Sequence, residues 1–141
     1  EILTTGVQMF TNKLVNDFVD RYFESLGIAI DHPEYKLFVT RLIKFTTDKH
    51  IADSSVPSTK CAGAIYILTA RRKELKIRRD KIQTSCKISK STFIRYAKAV
   101  FEALNKTCED PDKSKKHYKD CRVCRERKQL KHIFNKYNVP I

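Results

Sequence analysis

PSTKCAGAIYIL, residues 57–68, is the stretch that decides the fold of this chain. Its Cys-Ala-Gly-Ala segment at residues 61–64 places small side chains on several sides of a helix. Small residues let neighbouring helices approach closely, so the pattern predicts the central, buried helix of a helical bundle. We expect this helix to run over about residues 59–73, with Ser58 as its cap.

Apolar residues recur at intervals of three and four on both sides of this stretch, which is typical of amphipathic helices. Thr11 or Asn12 is expected to cap the first helix and Gly27 to end it, and Leu37 belongs to the apolar stripe of the second. A last amphipathic stretch surrounds Leu130. Without a convincing strand, the sequence predicts an all-α protein with five helices: residues 10–28, one opened by Asp31-His32-Pro33, 59–73, 79–86, and one capped by Ser89.

Positive charge is concentrated in one part of the chain. The formal net charge is +13, yet residues 1–70 carry seven basic and eight acidic side chains. Residues 71–98 carry eleven basic side chains against only Glu74 and Asp80. A charge surplus needed only for solubility would be spread evenly, so this clustering favours contact with a polyanion such as nucleic acid.

The same basic stretch has the pattern of a helix-turn-helix, with a tight turn at Lys87-Ile88 between the fourth and fifth helices. In such a pair the first residues of the second helix face base edges, while flanking cations meet phosphates. The alternative is a solvated charged face. The sequence predicts a DNA interface formed by Arg78, Arg79, Lys81, Lys90, Ser91, Thr92, Arg95 and Lys98.

The composition becomes more polar after Asn105, so we expect a bundle domain at residues 8–105 and a basic extension at residues 106–141. A short polar extension cannot build its own core, so a bound metal ion would order it. His132 is a substitute ligand should His117 point away, and the alternative is an unstructured tail with plain thiols. The spacing Cys-x8-His-x3-Cys-x2-Cys offers a tetrahedral Zn²⁺ donor set: Cys108, His117, Cys121 and Cys124.

Sequence signals for catalysis, secretion and membrane insertion are missing. No Gly-rich phosphate loop, HExxH or GxSxG motif occurs, which predicts a protein that is not an enzyme. Cys61 and Cys86 are expected to be packed thiols rather than nucleophiles. The odd count of five cysteines and the lack of any apolar run of about 18 residues predict a non-secreted protein of a reducing compartment, without a membrane span. Because the first residue is Glu1 rather than Met, we expect a piece of a longer protein.

Two of the segments described above resemble transcription initiation factor IIB. Residues 57–68 resemble the third helix of its cyclin-fold repeat, and residues 88–96, ISKSTFIRY, resemble the turn and fifth helix of the same repeat. The likeness covers about residues 11–105 and is closer to the second of the family's two repeats. It implies a cyclin-like five-helix bundle whose helix-turn-helix binds promoter DNA with the TATA-binding protein and helps recruit RNA polymerase. Ile94 stands where the family often has arginine, so the resemblance does not fix a sequence preference.

The divergence from the family implies a distant member such as those of large DNA viruses. Its place would be the nucleus for a cellular protein, and a cytoplasmic viral factory or the virion for a protein of a cytoplasmic virus. Two other classes of function stay open. A cyclin-type interaction module would bind a kinase or polymerase subunit through an apolar groove, and the charges of the fifth helix would then be dispensable. A fragment of a nucleic-acid enzyme would have its catalytic half elsewhere.

Overall fold

A computed structural model of the chain describes the backbone of residues 2–28, 32–106, 108 and 121–141, and the side chains of these ranges from residue 13 onward. The described part of the chain contains helices and no strand, so the all-α prediction is confirmed, with one helix more than the predicted five. The helices are α1 Ile2–Leu26, α2 Pro33–Asp48, α3 Pro57–Arg71, α4 Arg79–Cys86, α5 Lys90–Asn105 and α6 Arg122–Lys136, with a 3₁₀ turn at Lys73–Leu75.

Helix α3 lies at the centre of the bundle, as its small residues predict. Residues 59–65 are all buried, and α3 packs against α1, α2, α4 and α5. The approach to α5 is closest at Gly63, where an added Cβ atom would lie 2.5 Å from Tyr96 Cδ1 and 2.9 Å from the carbonyl oxygen of Phe93. Position 63 therefore requires glycine, because a side chain there would collide with the backbone of α5.

Gly63→Ala is expected to destabilise the protein, although alanine is the better helix former. In an open helix the change would stabilise by about 1 kcal/mol. Overpacking a filled interface costs about 1–3 kcal/mol, and the short approaches at Gly63 put this site in the upper part of that range. After the gain in helix propensity we expect a net loss of roughly 1–2 kcal/mol, measured as lower midpoints of thermal and urea unfolding. Ser25→Ala, at an exposed position of α1, is the control and should change stability little. An unchanged or raised midpoint for Gly63→Ala would contradict the close approach of α3 and α5.

The starts of α1 and α3 differ from the sequence prediction. Helix α1 already begins at Ile2, so the positions of Thr11 and Asn12 lie within the helix rather than at its start. The segment before them contains no proline that would stop a helix. Helix α3 begins at Pro57, and Ser58 is its second residue rather than its cap. Proline suits the first helical position because the N–H group it lacks would have no partner inside the helix.

The end of α1 is as predicted, whereas the apolar stripe of α2 is rotated. Gly27 has φ +73°, and beyond it the N–H of Ile28 donates to the carbonyl of Phe23 at 2.9 Å, which closes the helix. In α2 the predicted Leu37 is 48% exposed, while Val39 is fully buried. The buried positions of α2 follow intervals of three and four that start two residues before Leu37, so Leu37 falls on the opposite side.

Helix α6 packs against α2 and α5, so the part of the extension that the structure describes shares the core of the bundle. Leu130 and Phe134 are buried, and the Phe134 ring meets Phe38 of α2 edge-on with centroids 5.1 Å apart. Such aromatic pairs stabilise beyond the apolar area they bury. None of the described helices combines the length and the apolar character that a bilayer crossing requires.

Candidate nucleic-acid interface and cysteine cluster

Helices α4 and α5 are joined by residues 87–89, a tight turn at the predicted place. Lys87 adopts the left-handed conformation with φ +57°, and its backbone N–H donates to the carbonyl of Gln83 at 2.9 Å. This bond closes the last turn of α4. Ile88 packs against the hydrophobic core, and this contact also stabilises the turn.

Two side chains of α4 hold the first residue of α5. Gln83 Oε1 accepts a hydrogen bond from the backbone N–H of Lys90 at 2.9 Å, and the Asp80 carboxylate forms an ion pair with the Lys90 ammonium. The hydrogen bond from Lys90 lowers the pKa of Asp80, so this carboxylate is charged at neutral pH. Ser89 occupies the N-cap position of α5 as predicted, but its hydroxyl lies 2.6 Å from Thr92 Oγ1 and makes no capping bond to the backbone.

The side chains expected to contact DNA are mostly accessible. Lys90 is half-buried by its contacts with α4, and the other seven are exposed: Arg78, Arg79, Lys81, Ser91, Thr92, Arg95 and Lys98. Ser91, Arg95 and Lys98 follow one another at intervals of four and three, which places them along one side of α5. The opposite side of α5 is buried in the bundle. The structure therefore presents these three residues together, with the start of α4 next to the start of α5.

Acidic side chains oppose this cationic surface at only two places between residues 71 and 98. Glu74 pairs with Arg72 at 3.1 Å, and Asp80 pairs with Lys90. The predicted set omits Lys76 and Lys87, which are exposed in the connections on either side of α4. Both lysines belong to the basic cluster of residues 71–98, and this sequence signal could have added them to the predicted DNA interface. The surface around α4 and α5 thus keeps a strong positive excess.

Three of the four predicted metal ligands meet at the start of α6. The sulfur atoms of Cys108, Cys121 and Cys124 all lie within 4.8 Å of one another, and those of Cys108 and Cys121 are 3.7 Å apart. Tetrahedral coordination with metal–sulfur bonds of about 2.3 Å places sulfur atoms about 3.8 Å apart. A disulfide would need about 2.05 Å. The cysteine cluster, as we call these three residues, thus has a size that could hold a metal ion.

The surroundings of the cysteine cluster act differently on its two thiols in and next to α6. Cys121 is the N-cap of α6 and Cys124 lies in its first turn, where the helix dipole stabilises anions. A hydrogen bond from the Cys124 backbone lowers the pKa of Cys121, whereas burial raises the pKa of Cys124. The Arg127 guanidinium donates to the Cys124 sulfur at 3.9 Å and to the carbonyl oxygen of Lys106 at 2.8 Å. Arg127 therefore fastens the cluster to the end of α5.

The structure describes only one of the two histidines that were predicted as metal ligands. His117 lies outside the described residues. His132 is exposed on α6, eight residues after Cys124. At 1.5 Å per residue the two are about 12 Å apart along the helix, so the structure does not bring His132 to the cluster as the predicted substitute.

The other two cysteines are buried in the bundle, as predicted. Cys61 is fully buried in α3, and Cys86 is 6% exposed at the end of α4. Burial raises the pKa of each thiol to about 12. Both therefore stay neutral, and neither has the low pKa of a reactive thiolate.

Comparisons of this chain with protein-family models, curated proteins and solved structures gave no match. Its function is therefore inferred from the residues of the cationic surface and of the cysteine cluster.

Proposed function

We propose that the protein binds duplex DNA through α4, the turn at residues 87–89 and the exposed side of α5. In a helix-turn-helix the start of the second helix enters the major groove. Here that start carries Lys90, Ser91 and Thr92, with Arg95 one turn further on. The observation that carries the proposal is the junction of the two helices: the Gln83 side chain holds the backbone of Lys90, and so the start of α5, against α4, while the cations around them stay exposed.

Each group of residues has its own part in this proposal. Arg78, Arg79 and Lys81 lie at the start of α4, where they would bind phosphates and position the protein without reading sequence. Arg95 and Lys98 lie on the exposed side of α5, where arginine and lysine favour guanine edges. Loss of the first group should weaken binding to all sequences, and loss of the second should also change sequence preference.

At the level of the cell, we propose a role in transcription initiation. The resemblance to transcription initiation factor IIB supports a cyclin-like bundle of α1–α5 that binds promoter DNA with the TATA-binding protein and assists recruitment of RNA polymerase. The small-residue α3 at the centre and the α4–turn–α5 order agree with that proposal. The competing function, a cyclin-type interaction module, needs an apolar groove. The large exposed apolar side chains of the described residues, Leu37, Val56 and Ile141, belong to three separate segments.

For the cysteine cluster we propose Zn²⁺ as the bound ion. Thiolate sulfur is the ligand type that selects zinc over the hard divalent cations, and structural zinc sites are four-coordinate. Cys108, Cys121 and Cys124 would supply three ligands, and His117 would supply the fourth. A closed site of this kind would order the extension and hold the start of α6 beside the end of α5.

Asp80→Asn is expected to strengthen DNA binding. The change removes the carboxylate beside Lys90, so the lysine becomes available to a phosphate and the local repulsion of DNA falls. We expect binding that is about three- to tenfold tighter at low salt, measured by fluorescence anisotropy with a labelled promoter duplex. The fold should survive, because an exposed ion pair contributes little to stability.

Asp17→Asn is the matched control, because it removes the same charge from an exposed position of α1 and should leave the affinity unchanged. Unchanged or weaker binding by Asp80→Asn would contradict a phosphate near Lys90. The same titration with the TATA-binding protein present tests the role at promoters. That role predicts tighter binding to the preformed complex than to the bare duplex, and equal affinity would contradict it.

A further inference from the structure

We infer that the exposed side of α6 is a second phosphate-binding surface, which extends the DNA contact of α4 and α5. The inference rests on the proposed function for the identity of the ligand. It names a surface that the helix-turn-helix pattern does not include.

The evidence begins with the charge of α6. Among its fifteen residues the one carboxylate is Glu126, against six lysines and arginines. Arg125, Lys128 and Lys131 are exposed and follow one another at intervals of three, so they are neighbours on the helix surface. Neighbouring like charges destabilise a helix, and a bound polyanion would relieve that repulsion.

Three other charged side chains of α6 already have partners. Glu126 accepts a hydrogen bond from Arg122 at 2.9 Å, and Arg127 donates to Lys106 and Cys124. Within residues 13–28, 32–106, 108 and 121–141, the ion pairs of the structure do not include Arg125, Lys128 or Lys131. Among the described carboxylates these three cations therefore have no partner that would compete with a phosphate.

The apolar side of α6 holds this surface in place. Leu130 and Phe134 are buried, Phe134 meets Phe38 edge-on, and Arg127 ties the helix to the carbonyl of Lys106. The three exposed cations thus project from a docked helix, so binding a ligand would require ordering of their side chains alone. A polyanion with regularly spaced charges fits such a row better than a single small anion.

The position of α6 next to α5 favours, as the ligand, the DNA that α5 would bind. Helix α5 contacts both α4 and α6, so the three basic helices are neighbours in the order α4, α5, α6. Arg127 reaches the carboxyl end of α5, whereas Lys90 lies at its amino end. Sixteen residues at 1.5 Å per residue separate these ends by about 24 Å. At 3.4 Å per base pair this distance corresponds to about seven base pairs, so α6 would contact the backbone flanking the groove site.

The test is the triple variant R125Q/K128Q/K131Q, measured by fluorescence anisotropy on a duplex of about 30 base pairs over a series of salt concentrations. Loss of three phosphate contacts should lower the affinity roughly tenfold to hundredfold and reduce the slope of log K against log salt by about two to three. A duplex of about 10 base pairs, centred on the α5 site, should bind the variant and the unaltered chain nearly equally. The charge-conserving variant R125K/K128R/K131R should retain most of the affinity for the long duplex.

The matched control is K13Q/R41Q/K44Q, which removes three exposed cations from α1 and α2. An equal loss in this control would overturn the inference, because net charge alone would then explain the effect. Unchanged binding by the α6 variant, with weak binding by R95Q/K98Q, would also overturn the inference. That result would leave the proposed function intact. The reverse pattern, with loss in the α6 variant alone, would overturn the helix-turn-helix interface and leave the α6 surface. Circular dichroism before and after substitution verifies that each variant is folded.

Discussion

Replacing Arg78, Arg79, Arg95 and Lys98 together by glutamine is expected to abolish measurable duplex binding near physiological salt, a loss of at least about a hundredfold in affinity. All four side chains are exposed, and they lie in, or directly before, the two helices that meet at the Lys90 junction. Each phosphate contact releases counterions, so loss of the phosphate contacts of Arg78 and Arg79 should also flatten the salt dependence by about two units of slope, while loss of Arg95 and Lys98 removes the contacts with base edges. Filter binding or anisotropy over a salt series measures both quantities.

Lys90 is left intact in this experiment for a structural reason. Its ammonium is paired with Asp80, so a substitution there would also leave that carboxylate unpaired beside the DNA and would mix two charge effects. The four chosen side chains make no ion pair within the described residues. Their replacement should therefore leave the midpoint of thermal unfolding nearly unchanged, because substitutions of exposed side chains without ion pairs have small effects on stability.

The control removes the same number of cations from the nearly neutral first half of the chain: Lys13, Arg41, Lys44 and Lys49. These changes should reduce affinity only through net charge, by much less than the interface variant. Full binding by the interface variant would contradict the DNA proposal. It would favour a cyclin-type interaction module, for which these charges are dispensable.

The sequence predicts the elements around this interface well because their signals are local. Ser89 marks the start of α5, and the bounds of α4 match the expected ones. The central position of α3 follows from its small residues. The contacts of Asp80 and Gln83 with Lys90 could not be predicted, because they depend on how the turn places one helix against the other. No interval within a single helix brings those side chains together.

The cysteine cluster shows the same division between local and long-range information. The Cys121-x2-Cys124 pair could be predicted from spacing, since the start of a helix brings these positions close. The chain between Cys108 and Cys121 is too long for spacing to set their distance, which is 3.7 Å in the structure. The docking of α6 depends on Phe134 meeting Phe38, two residues far apart in sequence whose pairing no periodicity reveals. The sequence thus predicted an amphipathic stretch but not its site of packing.

Loss of the proposed Zn²⁺ is expected to loosen the start of α6 while the rest of the bundle stays folded. Protein purified under reducing conditions should carry about one zinc ion per chain, and Cys124→Ser should carry much less, because a four-ligand site with one ligand missing binds zinc weakly. Helices α1–α5 share a core that does not need the cluster, so most helicity should remain. Metal analysis and circular dichroism measure these two results.

Hydrogen exchange locates the effect of the lost metal. Amides of α6 should exchange at least about tenfold faster in Cys124→Ser, since a local opening becomes easier when the start of the helix is no longer tied to Cys108. Amides of α3 should change little. His132→Ala is the control, because that side chain lies about two turns beyond the sulfurs, and it should keep both zinc and protection. His117→Ala should lose zinc as Cys124→Ser does.

Acid adds an independent criterion, because zinc binds thiolates and protons compete for them. Zinc should therefore dissociate as the pH falls, and protection of α6 should fall over the same pH range. If the purified chain holds no zinc, and α6 exchanges equally slowly in the unaltered protein and in Cys124→Ser, the cluster is only a set of packed thiols. In that case the contacts of Phe134 with Phe38 and of Arg127 with Lys106 would be sufficient to dock α6, and its cationic face would not depend on the metal.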